Sequence, residues 1–343
     1  MDINAIEKNI DLGMMKNQIF SLPDQIEESF SIIEKYNLDS IKTKFSNVVI
    51  CGMGGSAISG DFIKLILSDD IDIPIMVIRS YKLPKYVTSN SLVVISSYSG
   101  DTEEVVSCYK SALDIGANIL CFSTGGKVME LSDMNNNICI RIPKGYQPRA
   151  AIGYSLALLL LAFNKLNLCS DSVTDNLYSA VESVRLFISD FDEYSPSIIN
   201  YAQIIKDSFP IIYGSNSFGY AIAFRFRCQL AENSKILSSC FEFPEQNHNE
   251  IEGFVKGMND KISLVWIYND MDHPQIIKRM KLVGRILENR VENQIKLNYN
   301  YSSLIESLLN ATIYTDIISY YVAILGGVNP TPVDVIKVLK SEL

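Results

Sequence analysis

Three clusters of serine, threonine and glycine are the residues here best suited to chemistry. They are Gly52-Met53-Gly54-Gly55-Ser56, Ser96-Ser97-Tyr98-Ser99-Gly100-Asp101-Thr102 and Ser123-Thr124-Gly125-Gly126. Hydroxyls donate to anions, glycines let a backbone approach one closely, and the free N–H groups at a helix start point toward it. Such a set suits a compact anion such as phosphate and needs no lysine. Each cluster alone reads as an ordinary turn or cap; three in succession, each after an apolar run, favour an anion cradle. A dinucleotide fingerprint is a rival, but Ala57 stands where the third glycine of GxGxxG belongs. No GxxxxGK[ST] occurs, which argues against a P-loop.

The elements that must position these clusters are short and regular. Val48–Cys51, Ile75–Ile78, Leu92–Ile95, Asn118–Cys121 and Ile138–Ile142 are nearly continuous apolar runs, the pattern of buried parallel strands. Helical patterns separate them. One is capped by Asp101 or Thr102 and runs to Asp114, with Glu103 and Glu104 in its first turn. Alternating strand and helix implies a doubly wound parallel sheet flanked by helices, with ligands at the carboxyl ends of the strands. A strongly apolar helix, Ile152–Leu166, closes this unit, and Asn167–Asp175 reads as a linker start.

The same order then returns. Helices near Val173–Ser189 and Pro196–Lys206 precede a strand at Pro210–Tyr213, a Gly214-Ser215-Asn216-Ser217 turn and a helix to Glu232. Further strands are expected at Lys235–Leu237, Ser263–Ile267 and Gln294–Leu297. Helices are expected at His273–Glu288 and Leu304–Leu325, with a short last one opened by Pro332. The expected division is 1–170 and 171–343, two domains of one α/β type.

Composition narrows the function. The 343 residues carry a net charge of −9 and no Lys/Arg-rich run, which disfavours nucleic acid as a partner. With 48% apolar residues and no low-complexity tract, the chain can build sizeable cores. The longest candidate stretch, Tyr154–Phe163, is about half of what a membrane span needs, and the first fifteen residues lack an apolar signal core. No membrane partner is expected, and the expected location is cytoplasmic. The seven cysteines are scattered and form no CxxC pair, as buried thiols of a reducing compartment do.

At the clusters the sequence resembles the sugar isomerase (SIS) domain family. Ser97-Tyr98-Ser99-Gly100-Asp101-Thr102 is similar to its S-x-S-G-x-T phosphate loop. Gln147-Pro148-Arg149-Ala150, Asn247-His248-Asn249-Glu250 and the terminal Asn329-Pro330-Thr331-Pro332-Val333 followed by Lys340 narrow the resemblance to the bifunctional phosphoglucose/phosphomannose isomerases. That resemblance implies two tandem SIS domains, a homodimer, no cofactor, no metal, and interconversion of glucose or mannose 6-phosphate with fructose 6-phosphate through a cis-enediol. It places the phosphate on Gly54, Gly55, Ser56, Ser97, Ser99 and Thr102. It makes Glu232 the proton-shuttling base and Arg149 the enediol's counter-charge. It gives ring opening to His248, reaching across the dimer interface, and Lys340. Two positions depart from the pattern. Asp101 stands where asparagine is frequent, and Ala231 precedes Glu232 where asparagine often does. The second half lacks its own S-x-S-G-x-T loop, so one phosphate site per chain is expected.

The residues themselves are compatible with this chemistry without dictating it. Moving a proton between C1 and C2 needs a carboxylate within reach of both carbons, and Glu232 beside Asn233 offers one. Read alone, it is equally a solvated acid in a last helical turn. Only two histidines occur; His248 lies in a polar stretch where it can titrate, whereas His273 before Pro274 suits a helix cap. With no second histidine near His248, Glu250 and Glu252, and no HExxH, a metal is not expected. A developing enediolate needs a fixed cation, which Arg149 could be, although an arginine before an apolar helix also suits a surface. Lys337 and Lys340 share one helix at i, i+3, and Thr331 is placed to influence tolerance of the C2 epimer. Two other readings use the same cradle: an aminosugar-phosphate isomerase, and a non-enzymatic sugar-phosphate sensor that needs neither Glu232, His248 nor Lys340.

Overall fold

The computed structural model describes residues 3–42, 44–256 and 261–342. The chain forms two compact units: Ser21–Glu182, and Met1–Phe20 together with Ser183–Leu343. Two helices, α1 (Ile3–Ile10) and α2 (Met15–Phe20), open the chain and belong to the second unit. The expected division at 170/171 falls at the start of helix α8 (Asp171–Ser189), whereas the units part inside that helix.

The Ser21–Glu182 unit begins with α3 (Leu22–Ile33) and carries the strands β1 (Asn47–Cys51), β2 (Ile75–Ile78), β3 (Ser91–Ser96), β4 (Asn118–Ser123) and β5 (Ile138–Arg141). They are all parallel in the order β2-β1-β3-β4-β5. All five lie where the apolar runs place them. Val48, Val49 and Ile50 are completely buried, each contributing about 1.5–3 kcal/mol of transfer free energy. The connecting helices are α4 (Gly54–Ile66), α5 (Glu103–Ile115) and α6 (Gly126–Met134). Helix α5 stops at Gly116, whose φ of 69° is left-handed. Helix α7 (Ile152–Lys165) is buried over almost its whole length against α3 and α4. Gln25 of α3 fixes its start. The buried Gln25 carboxamide donates to Ala150 O (2.8 Å) and accepts from Gly153 N (3.1 Å). A side chain at Gly153 would meet Gln25 Cβ at 2.8 Å, so the position takes only glycine.

In the second unit, α8 leads to α9 (Phe191–Lys206), then β6 (Phe209–Ser215), α10 (Phe218–Ser234), β7 (Ser239–Phe243), β8 (Ile262–Tyr268), α11 (Pro274–Ile286) and β9 (Asn293–Asn298). The parallel sheet has the order β7-β6-β8-β9. Helices α12 (Leu304–Leu325) and α13 (Asp334–Ser341) follow. Trp266, Tyr213 and Phe243 centre the core on one face of this sheet.

Three expectations need correcting. Lys235–Leu237 is not a strand: Lys235 ends α10 in a left-handed conformation (φ 58°), Leu237 is 80% exposed, and pairing starts at Ser239. Helix α9 starts at Phe191, ahead of Pro196, which sits inside it. The last helix opens at Asp334, with Val333 as its cap residue, not at Pro332. α12 is long and apolar enough to cross a membrane by composition alone, yet nearly all of it is buried within its unit. Its interior acid, Asp316, is 3% exposed and paired with the buried Arg225 of α10, as a core helix requires.

Candidate active site

Two of the three Ser/Gly clusters fall at one place in the first sheet. From β1 the chain passes through α4 to the edge strand β2; from β3 it passes through α5 to β4 on the opposite side. The crevice where these connections part lies between the ends of β1 and β3, the switch point where parallel sheets receive ligands. Gly52–Ser56 leaves β1 there, and Ser97–Thr102 leaves β3.

Both helix starts keep donors for an anion. The cap residues, Met53 of α4 and Thr102 of α5, make no side-chain cap hydrogen bond, so the first-turn N–H groups receive nothing from them. Gly54 has φ +51°, and the space a side chain would fill is open. Gly55 backs onto the neighbouring turn: a Cβ there would lie 3.1 Å from Pro148 O and 3.6 Å from Arg149 Cα. The Gln147–Ala150 motif is thereby brought against the first turn of α4. Arg149 is only 4% exposed, and its guanidinium donates to Gln147 Oε1 at 3.5 Å.

The Ser97–Thr102 loop is internally ordered. Ser97 Oγ lies 2.9 Å from Thr102 Oγ1 and accepts from Gly100 N at 3.1 Å. Ser99 is exposed, and its hydroxyl accepts from Asp101 N at 3.3 Å. This corrects the expected cap of α5. Thr102 is the cap residue, but its hydroxyl turns to Ser97. Asp101 serves another helix, accepting from Lys127 N of α6 at 2.9 Å. Cluster three is therefore a buttress, since its helix start is occupied by the protein's own carboxylate.

In the second unit, Glu232 lies half-buried in the last turn of α10. Three polar links clamp α10 onto α12: Arg225 with Asp316, Asn233 Nδ2 to Ser319 Oγ (2.9 Å) and Ser234 Oγ to Ser319 O (2.6 Å). Lys235 joins this helix end to the Asn329–Val333 segment, since its ammonium donates to Glu232 O (2.6 Å) and Pro330 O (3.3 Å). Thr331 is wedged against Gly13, where a Cβ would stand 2.2 Å from its Oγ1. Sequence patterns do not single out Gln25, Arg225, Asp316 or Gly13; the one available signal is an acid, Asp316, in the middle of an apolar helix.

His248 ends a short 3-10 turn after β7 and is exposed. The turn is anchored from below by Glu250, which accepts a hydrogen bond from the fully buried Tyr213 O–H. Burial pushes the Glu250 carboxyl above its usual range, opposed by that hydrogen bond. His273 caps α11, its Nδ1 accepting from Gln275 N at 3.1 Å. Lys340 is exposed on α13; on the same helix Lys337 is paired with Asp334 at 3.3 Å. Among the described residues, no group of three or more His, Cys, Asp or Glu side chains could hold a metal ion.

Comparison with known proteins fits this arrangement. Residues 198–343 match the family model described as the bacterial phospho-glucose isomerase C-terminal SIS domain. The tagatose-6-phosphate ketose/aldose isomerase of Escherichia coli shares the fold with a TM-score of 0.72 at 14% identity, over 92% of this chain and 94% of that one. The bifunctional phosphoglucose/phosphomannose isomerase of Aquifex aeolicus is 29% identical over 93% of this chain and 99% of its own length. That of Caldicellulosiruptor bescii is 34% identical over 96% of this chain and 98% of its own length. On a match of that extent, the chain belongs to the bifunctional phosphoglucose/phosphomannose isomerase family.

Proposed function

We propose that this protein interconverts glucose 6-phosphate and mannose 6-phosphate with fructose 6-phosphate through a cis-enediol. The observation that carries the reading is the pair of helix starts, α4 and α5, that lack side-chain caps and flank one switch point beside Ser97, Ser99 and Thr102. Gly54, Gly55, Ser56, Ser97, Ser99 and Thr102 hold the phosphate through N–H and O–H donors. The phosphate is remote from the reacting carbons, so its binding energy fixes the sugar's position.

His248 and Lys340 exchange protons with the ring and anomeric oxygens to open the ring. Glu232 then takes the proton from C2 of the aldose and returns it to C1, while the hydroxyl proton moves from O2 to O1. Because the same carboxylate serves either C2 epimer through a common enediol, one site can use glucose and mannose phosphates. Arg149 faces the negative charge of the enediolate. Exposed His248 suits a homodimer in which it acts in the partner's site, and the protein acts in the cytoplasm.

The test is a coupled assay of fructose 6-phosphate with EDTA present, detecting glucose 6-phosphate and mannose 6-phosphate separately. Both products are expected. Formation of neither by folded protein, with sugar-phosphate binding retained, would favour the sensor reading.

A further inference from the structure

The loop from Ser97 to Thr102 is held to the turn that opens α6 by backbone hydrogen bonds and by close packing at two glycines. Thr124 N donates to Tyr98 O at 3.0 Å, and Val128 N donates to Gly100 O at 2.9 Å. Gly100 has φ +84°, and a side chain there would lie 1.8 Å from Gly125 O. Gly126 has φ +67°, and a side chain there would lie 2.6 Å from both Asp101 Oδ1 and Ser99 O. The far side is fixed by Tyr98, whose O–H donates to Pro143 O (3.0 Å) and accepts from Tyr146 N (3.1 Å).

At the centre of these contacts is one side chain. Asp101 Oδ1 accepts from Lys127 N at 2.9 Å, the position an anion takes at a helix start. The Lys127 ammonium is engaged with Glu130 at 3.0 Å. Asp101 therefore does two opposing things. As an acceptor it ties the loop to α6; as an exposed negative charge next to Gly100 and Thr102 it repels any dianion the loop receives.

We propose that Asp101 is a positioning residue that sets the affinity of the Ser97–Thr102 loop for phosphorylated substrates, holding the loop's geometry as a built-in anion on α6 while limiting tightness through its charge. The proposal rests on the reading of this loop as the phosphate site. It predicts that the two roles separate by substitution. Asp101→Asn keeps the acceptor and removes the charge; Asp101→Ala removes both.

The measurement is the steady-state kinetics of fructose 6-phosphate isomerisation for the two variants, at low and high ionic strength, with Ser97→Ala alongside. Asp101→Ala is expected to raise KM about tenfold with kcat within about twofold. Asp101→Asn is expected to lower KM below the parent value. Any such gain should close at high salt, where the repulsion is screened. A purely structural role would move melting temperature and kcat together and would not produce this split. An Asp101→Ala KM within about twofold of the parent, or an Asp101→Asn KM at or above the parent's, would overturn the proposal. If Asp101→Ala does not fold, Asp101→Asn decides: a KM below the parent's supports the proposal and an equal or raised one overturns it. The underlying reading fails separately, if Ser97→Ala leaves KM unchanged and inorganic phosphate does not compete with substrate.

Discussion

The two sheets present the same kind of switch point and fill it differently. In the Ser21–Glu182 unit it lies between β1 and β3, and the helices that start there have no side-chain cap. In the second unit it lies between β6 and β8, and the protein's own groups occupy it. Ser215 Oγ accepts from Gly219 N at 2.9 Å, His273 caps α11, and Ser217 donates to Asp272 Oδ1 at 2.6 Å. Gly214 and Gly219 are packed backbone to backbone, since a Cβ on Gly214 would stand 2.1 Å from Gly219 C. A buried carboxylate, Asp272, stands in the loop that corresponds by topology to the Ser97–Thr102 loop. Topology thus offers an anion site twice, and side chains decide whether it stays open. What the second unit offers instead is a carboxylate on a clamped helix, Glu232.

That contrast can be broken from either side. The largest effect is expected for Glu232→Gln, which keeps the shape of the second unit and removes the proposed base. kcat should fall by about 10²–10⁴ while sugar-phosphate binding, followed by calorimetry, stays near the parent value. Retained turnover would remove Glu232 as the base. Next comes the clamp beneath it. Asp316→Ala deprives the buried Arg225 guanidinium of this partner and should cost about 3–5 kcal/mol in urea denaturation. A loss below about 1 kcal/mol would mean that the helix pair relaxes around the gap.

Ser97→Ala should do the reverse of Glu232→Gln, raising KM about tenfold, or about 1.4 kcal/mol, with kcat little changed. The smallest effect belongs to Asp272. Burial raises its pKa, outweighing the hydrogen bonds from Ser217 and Ser215 that lower it. The folded state therefore holds this proton more tightly than the unfolded state. In the window between the unfolded and folded values, wild-type stability declines as pH rises. Asp272→Asn should be more stable relative to wild type at pH 7 than at pH 4, by thermal melting. An equal difference at both would show that the carboxylate titrates as in the unfolded chain.

Much of this was legible from local pattern. Buried parallel strands are nearly continuous in apolarity, so all five strands of the first sheet and β6, β8 and β9 fall at or near their expected places. Edge strand β7 was misplaced because Phe241 and its neighbours are only partly buried and carry no such pattern. Helix α5 starts after the expected cap residue Thr102, but the side-chain partners are not local: the Thr102 hydroxyl turns to Ser97, and Asp101 accepts from the start of α6.

The sequence by itself determined the doubly wound α/β type, the hydroxyl- and glycine-rich loop that can meet an anion, and the family its motifs resemble. These depend on short-range properties: alternation of elements, glycine's freedom at φ > 0, and donors placed at a helix start. Only the tertiary structure decided which helix Asp101 serves, that Arg149 is buried beside the Gly55 turn, that Asp316 anchors the helix bearing Glu232, and that the second switch point is filled. Each of those depends on a partner far along the chain, and a partner's identity is fixed by packing, which local periodicity does not encode.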